Sequence, residues 1–321
     1  MENSESDLRL QAKLKRELGP VICEALECDN VLEIMVNPDG KLWIEKFGSS
    51  PNIAGELPAS HIRSILGTIA ASIESACNRE NPVVEGVLPI GGHRFAGVHN
   101  SNTGTPYSAF AIRKKPTRVF TLDEYVKSGT MTADQKGVID RAIKEKWNIL
   151  VAGGTGSGKT TLTNGVLARV NELCPDDRLF LVEDTQEIIC EQENTVQITT
   201  SEYLSSYGAL KLALRFRPDR VMFGEVRDGV ALDLLKAWNT GHPGGICTLH
   251  ANSSEEALER VSEMIQEKCP GDFRSLIGRS IDLCLFIQKS PGSKSGRFIR
   301  DLIKVERFDK SRGEFVFSTI C

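Results

Sequence analysis

The stretch Asn148 to Thr161, NILVAGGTGSGKTT, constrains the fold more than any other part of this chain. Inside it the pattern G-x-x-x-x-G-K-[ST] runs from Gly153 to Thr160. It follows the apolar run Ile149, Leu150, Val151 and precedes a segment able to be helical. The order is therefore strand, glycine loop, helix start. Glycines let backbone N–H groups turn inward on an anion, and the helix N-terminus adds partial positive charge. Gly153, Gly154, Thr155, Gly156, Ser157, Gly158, Lys159, Thr160 and Thr161 are thus the candidate phosphate-binding residues. Lys159 is expected to reach the β/γ-phosphates of a bound nucleoside triphosphate, and the Thr160 hydroxyl to ligate Mg²⁺.

A chain of 321 residues has room for about two domains of ordinary size. At 40% hydrophobic and 26% charged residues it can bury a sizeable core. The net charge of −4 argues against a dedicated nucleic-acid binder, so no stable DNA binding is expected. The nine cysteines contain no C-x-x-C pair, which points away from a zinc ribbon or a redox motif. An odd count without a readable signal peptide leads us to expect reduced thiols and a cytoplasmic setting. No apolar run is long enough for a transmembrane segment, so any membrane association is expected to be peripheral.

Periodicity divides the chain. Leu10, Leu14, Leu18, Val21 and Ile22 recur at helical spacing, with a break or bend expected at Gly19-Pro20. Ile34, Val36, Leu42 and Ile44 alternate around Asn37-Pro38-Asp39-Gly40, which predicts a hairpin. Ile62, Ile65, Leu66, Ile69 and Ile73 predict a one-faced helix, and Val83 to Val98 and Tyr107 to Ile112 read as short strands. Residues 1–112 therefore read as an α+β domain and 113–131 as a linker containing Pro116. A helix is predicted from Thr132, which has capping-box spacing to Gln135. Within 132–321, Leu179 to Val182, Val221 to Phe223 and Leu283 to Ile287 look like buried strands. Glu255 to Gln266 looks like a helix, and Phe298 to Ile320 like a closing hairpin. Strands alternating with helices predict an α/β sheet.

Hydrolysis needs more than a phosphate loop: a metal, a positioned water and cations for the developing charge. Acids directly after buried strands are the candidates, because α/β sheets bind ligands at their carboxyl edge. Glu183 and Asp184 follow one such strand and Glu225 another. Glu225 is favoured, because Gly224 would let the backbone approach a ligand closely. Its expected role is to orient or deprotonate the attacking water, with Glu183 sharing that duty and Asp184 supporting the metal shell. Arg215, Arg217, Arg220 and Arg227 cluster nearby, some of them expected only to solvate the surface or pair with Asp219 and Asp228. NTGHPGGICTLHANS reads as a glycine-rich loop carrying His242 and His250, better suited to sensing a γ-phosphate than to holding a metal.

Taken in order, GGTGSGKTT, VEDTQE, GEVRD and NTGHPGGICTLHAN resemble the four motifs of the secretion-ATPase superfamily that powers type II and type IV secretion and type IV pili. LPIGGHRFAGVHN and FAIRKKP, in the first half, resemble the N-terminal domain of its type IV secretion and conjugation branch. No tetracysteine zinc insert of the type II branch is present. The resemblance implies a P-loop NTPase (RecA-like) C-terminal domain with a parallel-rich sheet and an α+β (PAS-like) N-terminal domain. It also implies a homo-hexameric, Mg²⁺-dependent ATPase on the inner face of a bacterial inner membrane, working with secretion-channel proteins. By the same resemblance Glu183 is the Asp-box glutamate, Glu225 the Walker B glutamate and His250 the His-box residue near the γ-phosphate, and Arg94 and Arg113 approach the phosphates from the N-terminal domain when the two domains close. Arg215 and Arg217 correspond to arginines near a subunit boundary. The rival readings are a nucleic-acid motor, against which the acidic balance counts, and a non-hydrolysing nucleotide switch, against which Glu225 counts.

Overall fold

Helical spacing near the N-terminus becomes α1 (Glu5–Glu27), and Gly19, at φ 75° and ψ 171°, breaks its regularity immediately before Pro20. The computed structural model describes residues 5–47, 49–290, 292–293 and 295–320. These form two compact units, Met1–Arg118 and Val119–Cys321.

In the first unit, α1 is followed by β1 (Val31–Val36), β2 (Lys41–Lys46), β3 (Asn52–Glu56), α2 (Ala59–Ser72), β4 (Val83–Val87), β5 (Arg94–Val98) and β6 (Ala109–Arg113). The strands make a sheet in the order β3-β2-β1-β6-β5-β4, antiparallel at every pairing. Leu14, Leu18 and Ile22 of α1 and Ile62, Ile65, Leu66 and Ile69 of α2 pack on Ile34, Phe95, Phe110 and Ile112 of the sheet. Each such fully buried side chain contributes roughly 1.5–3 kcal/mol. The opposite sheet face carries polar positions. There Arg94 pairs in register with Arg113, and Arg113 with Glu33.

The second unit opens with α3 (Leu122–Lys127) and α4 (Ala133–Lys144), each started by a complete capping box on Thr121 and Thr132. The stretch expected to be linker thus contains a helix, and its Leu122 and Tyr125 are buried in the core of the second unit. Next come β7 (Ile149–Ala152), α5 (Lys159–Leu173), β8 (Leu179–Glu183), β9 (Thr195–Thr199), α6 (Ser206–Ala213), β10 (Arg220–Phe223) and α7 (Val230–Asn239). The chain continues through β11 (Ile246–Leu249), α8 (Ser254–Lys268), α9 (Arg274–Ser280), β12 (Leu283–Lys289), β13 (Arg297–Asp309) and β14 (Glu314–Thr319).

The sheet order is β14-β13-β12-β7-β11-β10-β8-β9, parallel from β12 to β9 and antiparallel through β13 and β14. Alternate residues feed opposite faces. Leu150, Phe180 and Cys247 join the α6–α9 layer, whereas Ile149, Val151, Leu179 and Leu181 join the α3–α5 layer. Covering on both faces is what an all-apolar parallel strand requires. The histidine segment is not a single loop, because Ile246–Leu249 is a fully buried central strand. Its short apolar run, preceded by Gly244-Gly245 and followed by His250, hid a strand of four residues.

Candidate functional site

Because β7, β8, β10 and β11 run parallel, the segments after them emerge at one sheet edge. After β7 comes the glycine loop. Gly156 and Gly158 have φ of +66° and +100°, conformations that side chains with a Cβ rarely adopt. Gly154, Thr155 and Gly156 form an exposed crest, whereas Ser157 and Lys159 are buried beneath it. The Ser157 hydroxyl is buried with no hydrogen-bond partner among the described residues. α5 begins at Lys159, so its first N–H groups face the same loop. An anionic ligand fits this arrangement.

Lys159 is only 8% exposed. Its ammonium donates to the carbonyls of Gly153 (2.8 Å) and Gly154 (3.2 Å) and lies 3.2 Å from His250 Nδ1. His250 directly follows β11, and its Nε2 is 3.4 Å from Glu225 Oε1. Glu225 follows β10 and accepts from Arg227 Nη2 at 2.8 Å. Partial burial pushes the Glu225 carboxyl upward, but the hydrogen bond and charge of Arg227, with His250 and Lys159, outweigh it and hold the group below the usual glutamate range. Arg227 Nη1 also faces Asp184 Oδ2 at 3.6 Å. One continuous polar chain thus joins Lys159, His250, Glu225, Arg227 and Asp184.

Glu183 sits differently. At 4% exposure it is the most buried carboxylate of the site. Its Oε1 accepts from the backbone N–H groups of Glu187 and Ile188, at 3.0 and 2.8 Å, and Oε2 accepts from Gln197 at 2.7 Å. Burial nonetheless pushes its pKa up, against these bonds. The space that Gly224 provides is taken by this side chain. A Cβ on Gly224 would stand 2.9 Å from Glu183 Cγ. The room read from the sequence as space for a ligand therefore admits Glu183 instead.

Two residues that the sequence reading missed complete the edge. Thr160 Oγ1 donates to Glu187 Oε2 at 3.4 Å, so Glu187 is the carboxylate beside that hydroxyl. Asp184 instead accepts from Thr200 at 2.9 Å and faces Arg227. Asn164, fully buried on α5, accepts from the Ile189 N–H and donates to the Glu187 carbonyl, which ties this segment to the loop helix. Glu187 lies four residues beyond Glu183 in the same acidic segment VEDTQE, and that closeness is the available signal.

The arginines separate by burial. Arg220 is 1% exposed, bonded to Asp177 and to the carbonyls of Ile143 and Gly244. Arg215 and Arg217 are exposed. Arg94 and Arg113 stand side by side in the first unit. His242 precedes β11 and so belongs to the opposite sheet edge from His250.

The description "Type II/IV secretion system protein" matches residues 101–288. A protein of Sinorhizobium fredii described as "Probable conjugal transfer protein TrbB" is 45% identical over 314 residues, covering 98% of this chain and 95% of that one. Conjugal transfer protein TrbB of Rhizobium radiobacter is 43% identical, covering 94% and 91%. Type IV secretion system protein VirB11 of Bartonella henselae is 28% identical, covering 83% and 87%. Among solved structures, the Legionella pneumophila ATPase DotB aligns with a TM-score of 0.65 at 20% identity, over 90% of this chain and 80% of that one. The pilus retraction motor PilT, solved with bound ADP, aligns at 0.60 and 19%, over 93% and 80%. These two likenesses show the fold.

Proposed function

The chain belongs to the type II/IV secretion system protein family, and from that membership and the site geometry we propose that it is an ATP-hydrolysing hexameric motor of a conjugative type IV secretion system. Its relatives named for conjugal transfer support the setting. The observation that carries the chemistry is the linked set of Lys159, His250 and Glu225 at the carboxyl edge of one parallel sheet. The motor would power pilus biogenesis or substrate transfer from the cytoplasmic face of the inner membrane, docked on inner-membrane channel proteins. Among the described residues no helix is long and apolar enough to cross a membrane.

In this mechanism the loop N–H groups and Lys159 hold the phosphate chain of ATP, with Thr155 and Thr161 flanking it. Glu225 accepts the proton of a water whose oxygen attacks the γ-phosphorus. The bond from that phosphorus to the β–γ bridging oxygen breaks, leaving ADP and inorganic phosphate. His250, between Lys159 and Glu225, senses whether a γ-phosphate is present. Glu183 works from its buried position by holding the 187–188 backbone. Thr160 and Glu187 offer the hard oxygen donors that Mg²⁺ takes, with Asp184 supporting them. When bound, that ion neutralises charge on the phosphate oxygens. Arg94 and Arg113 are the proposed additional phosphate ligands.

The deciding variants are Glu225→Gln and Lys159→Ala. Loss of a general base lowers turnover by roughly 10²–10⁴-fold, so Glu225→Gln should bind ATP yet release almost no phosphate. Lys159→Ala should lose ATP binding in calorimetry. Wild-type turnover in the first, or tight ATP binding in the second, refutes the assigned roles.

A further inference from the structure

On the other flank of the glycine loop, β12 pairs with β7, and its last residue, Lys289, stands directly opposite Arg297, the first residue of β13. Two like charges at one cross-strand position destabilise a hairpin. Here both side chains lie over the loop. Arg297 Nη2 donates to the Gly156 carbonyl at 3.2 Å. A Cβ on Gly158 would stand 3.1 Å from Arg297 Cδ, and a Cβ on Gly156 would stand 3.0 Å from Lys289 Nζ. The absent side chains of Gly156 and Gly158 therefore serve twice, in the loop conformation and in admitting two cations. Lys289 lies just beyond the family match, which ends at residue 288.

Sheet order gives this pair a direction. β12 and β11 flank β7 on opposite sides. Glu225 and His250 belong to the β10–β11 side, so a phosphate chain with its reacting end toward them must run its other end toward β12. We propose that Lys289 and Arg297 form an anion clamp for the α-phosphate end of the nucleotide, setting its affinity without entering the hydrolytic step. The inference rests on the ATP-binding reading above. It extends that reading to the nucleotide's non-reacting end.

The test is calorimetric binding of ADP and AMP to the full-length chain, with ATP turnover measured alongside. Charge-assisted hydrogen bonds of this kind are worth about tenfold or more in affinity. Lys289→Ala and Arg297→Ala should each weaken ADP and AMP binding by about that factor and raise KM for ATP, while kcat stays within roughly twofold. Arg297→Lys should recover part of the loss. Unaltered thermal unfolding without nucleotide would show that the variants fold.

Wild-type ADP affinity in Lys289→Ala overturns the clamp, even if Arg297→Ala binds poorly. In that case Arg297 acts only by bracing the Gly156 carbonyl. A fall in kcat with KM unchanged overturns it equally. Failure of the wild-type chain to bind any nucleotide would instead overturn the ATP reading itself.

Discussion

Arg227 holds two carboxylates at once, Glu225 at 2.8 Å and Asp184 at 3.6 Å. A proton acceptor clamped by a guanidinium is a weakened base, because the cation favours the charged carboxylate. The same contact fixes the side chain beside His250. Replacing Arg227 with Gln removes the charge and keeps a hydrogen-bonding side chain. The Glu225 carboxyl, now held below its usual range, should then rise. A base must be deprotonated to act, so the acid limb of the kcat/KM profile should move to higher pH in Arg227→Gln. An acid limb that does not move would separate Glu225 from that limb. The sequence showed Arg227 only as one of four clustered arginines. Its partner depends on where β8 and β10 end relative to each other, which neighbouring residues in one chain do not reveal.

At the level of elements, Arg220 ties three of them together. It opens β10, reaches the carbonyl of Ile143 near the end of α4, and pairs with Asp177 just before β8. Removing it leaves Asp177 to Lys146 alone, at 3.0 Å, and takes a buried donor from the Ile143 and Gly244 carbonyls, a loss of about 1–3 kcal/mol. Arg220→Met should therefore lower the midpoint of urea unfolding sharply, whereas Arg215→Met on the exposed side should leave it nearly unchanged. Burial alone would raise the Asp177 carboxyl, but Lys146 and Arg220 outweigh it and depress the group. A depressed carboxyl stabilises above its unfolded value, about pH 4. That contribution should fade as pH falls through the still lower folded value, visible as a steeper acid limb of stability that Asp177→Asn flattens.

These contacts mark the limit of sequence reading. The glycine loop, the helix from Thr132, and the strands before Glu183 and Glu225 were legible because each carries its signal locally, in turn chemistry, caps or apolar runs. β11, β9 and α3 were not. Their identity as elements comes from the neighbours that cover them, and Ile246–Leu249 reads as a strand only once β7 and β10 lie on either side. Arg220 and Arg217 likewise sit three residues apart in one basic run. One is sealed in the core and the other is exposed, a difference set by tertiary burial alone.

At the scale of the whole molecule, the proposed motor requires copies to meet. Between residues 203 and 217, a stretch that includes Arg215 and Arg217, the second unit exposes large apolar side chains. Tyr203 is 91% exposed, and Tyr207, Leu214 and Phe216 are each 40–42% exposed. Isolated surface hydrophobics need no explanation, but four close together in sequence, interleaved with two exposed arginines, have the composition of an interface rich in aromatics and arginine. Native mass spectrometry of the full chain with ATP and Mg²⁺ should show six copies. Arg217→Glu reverses charge at an exposed position where the backbone already takes φ +52°. It should shift the population toward monomer while leaving the unfolding temperature of the single chain within a few degrees. If the wild-type chain stays monomeric at every nucleotide state, the ring is wrong and the exposed aromatics serve another contact. If the ring forms and Arg217→Glu leaves it intact, the boundary lies on a different face, and the assignment of Arg215 and Arg217 to it falls while the hydrolytic chemistry of Glu225 stands.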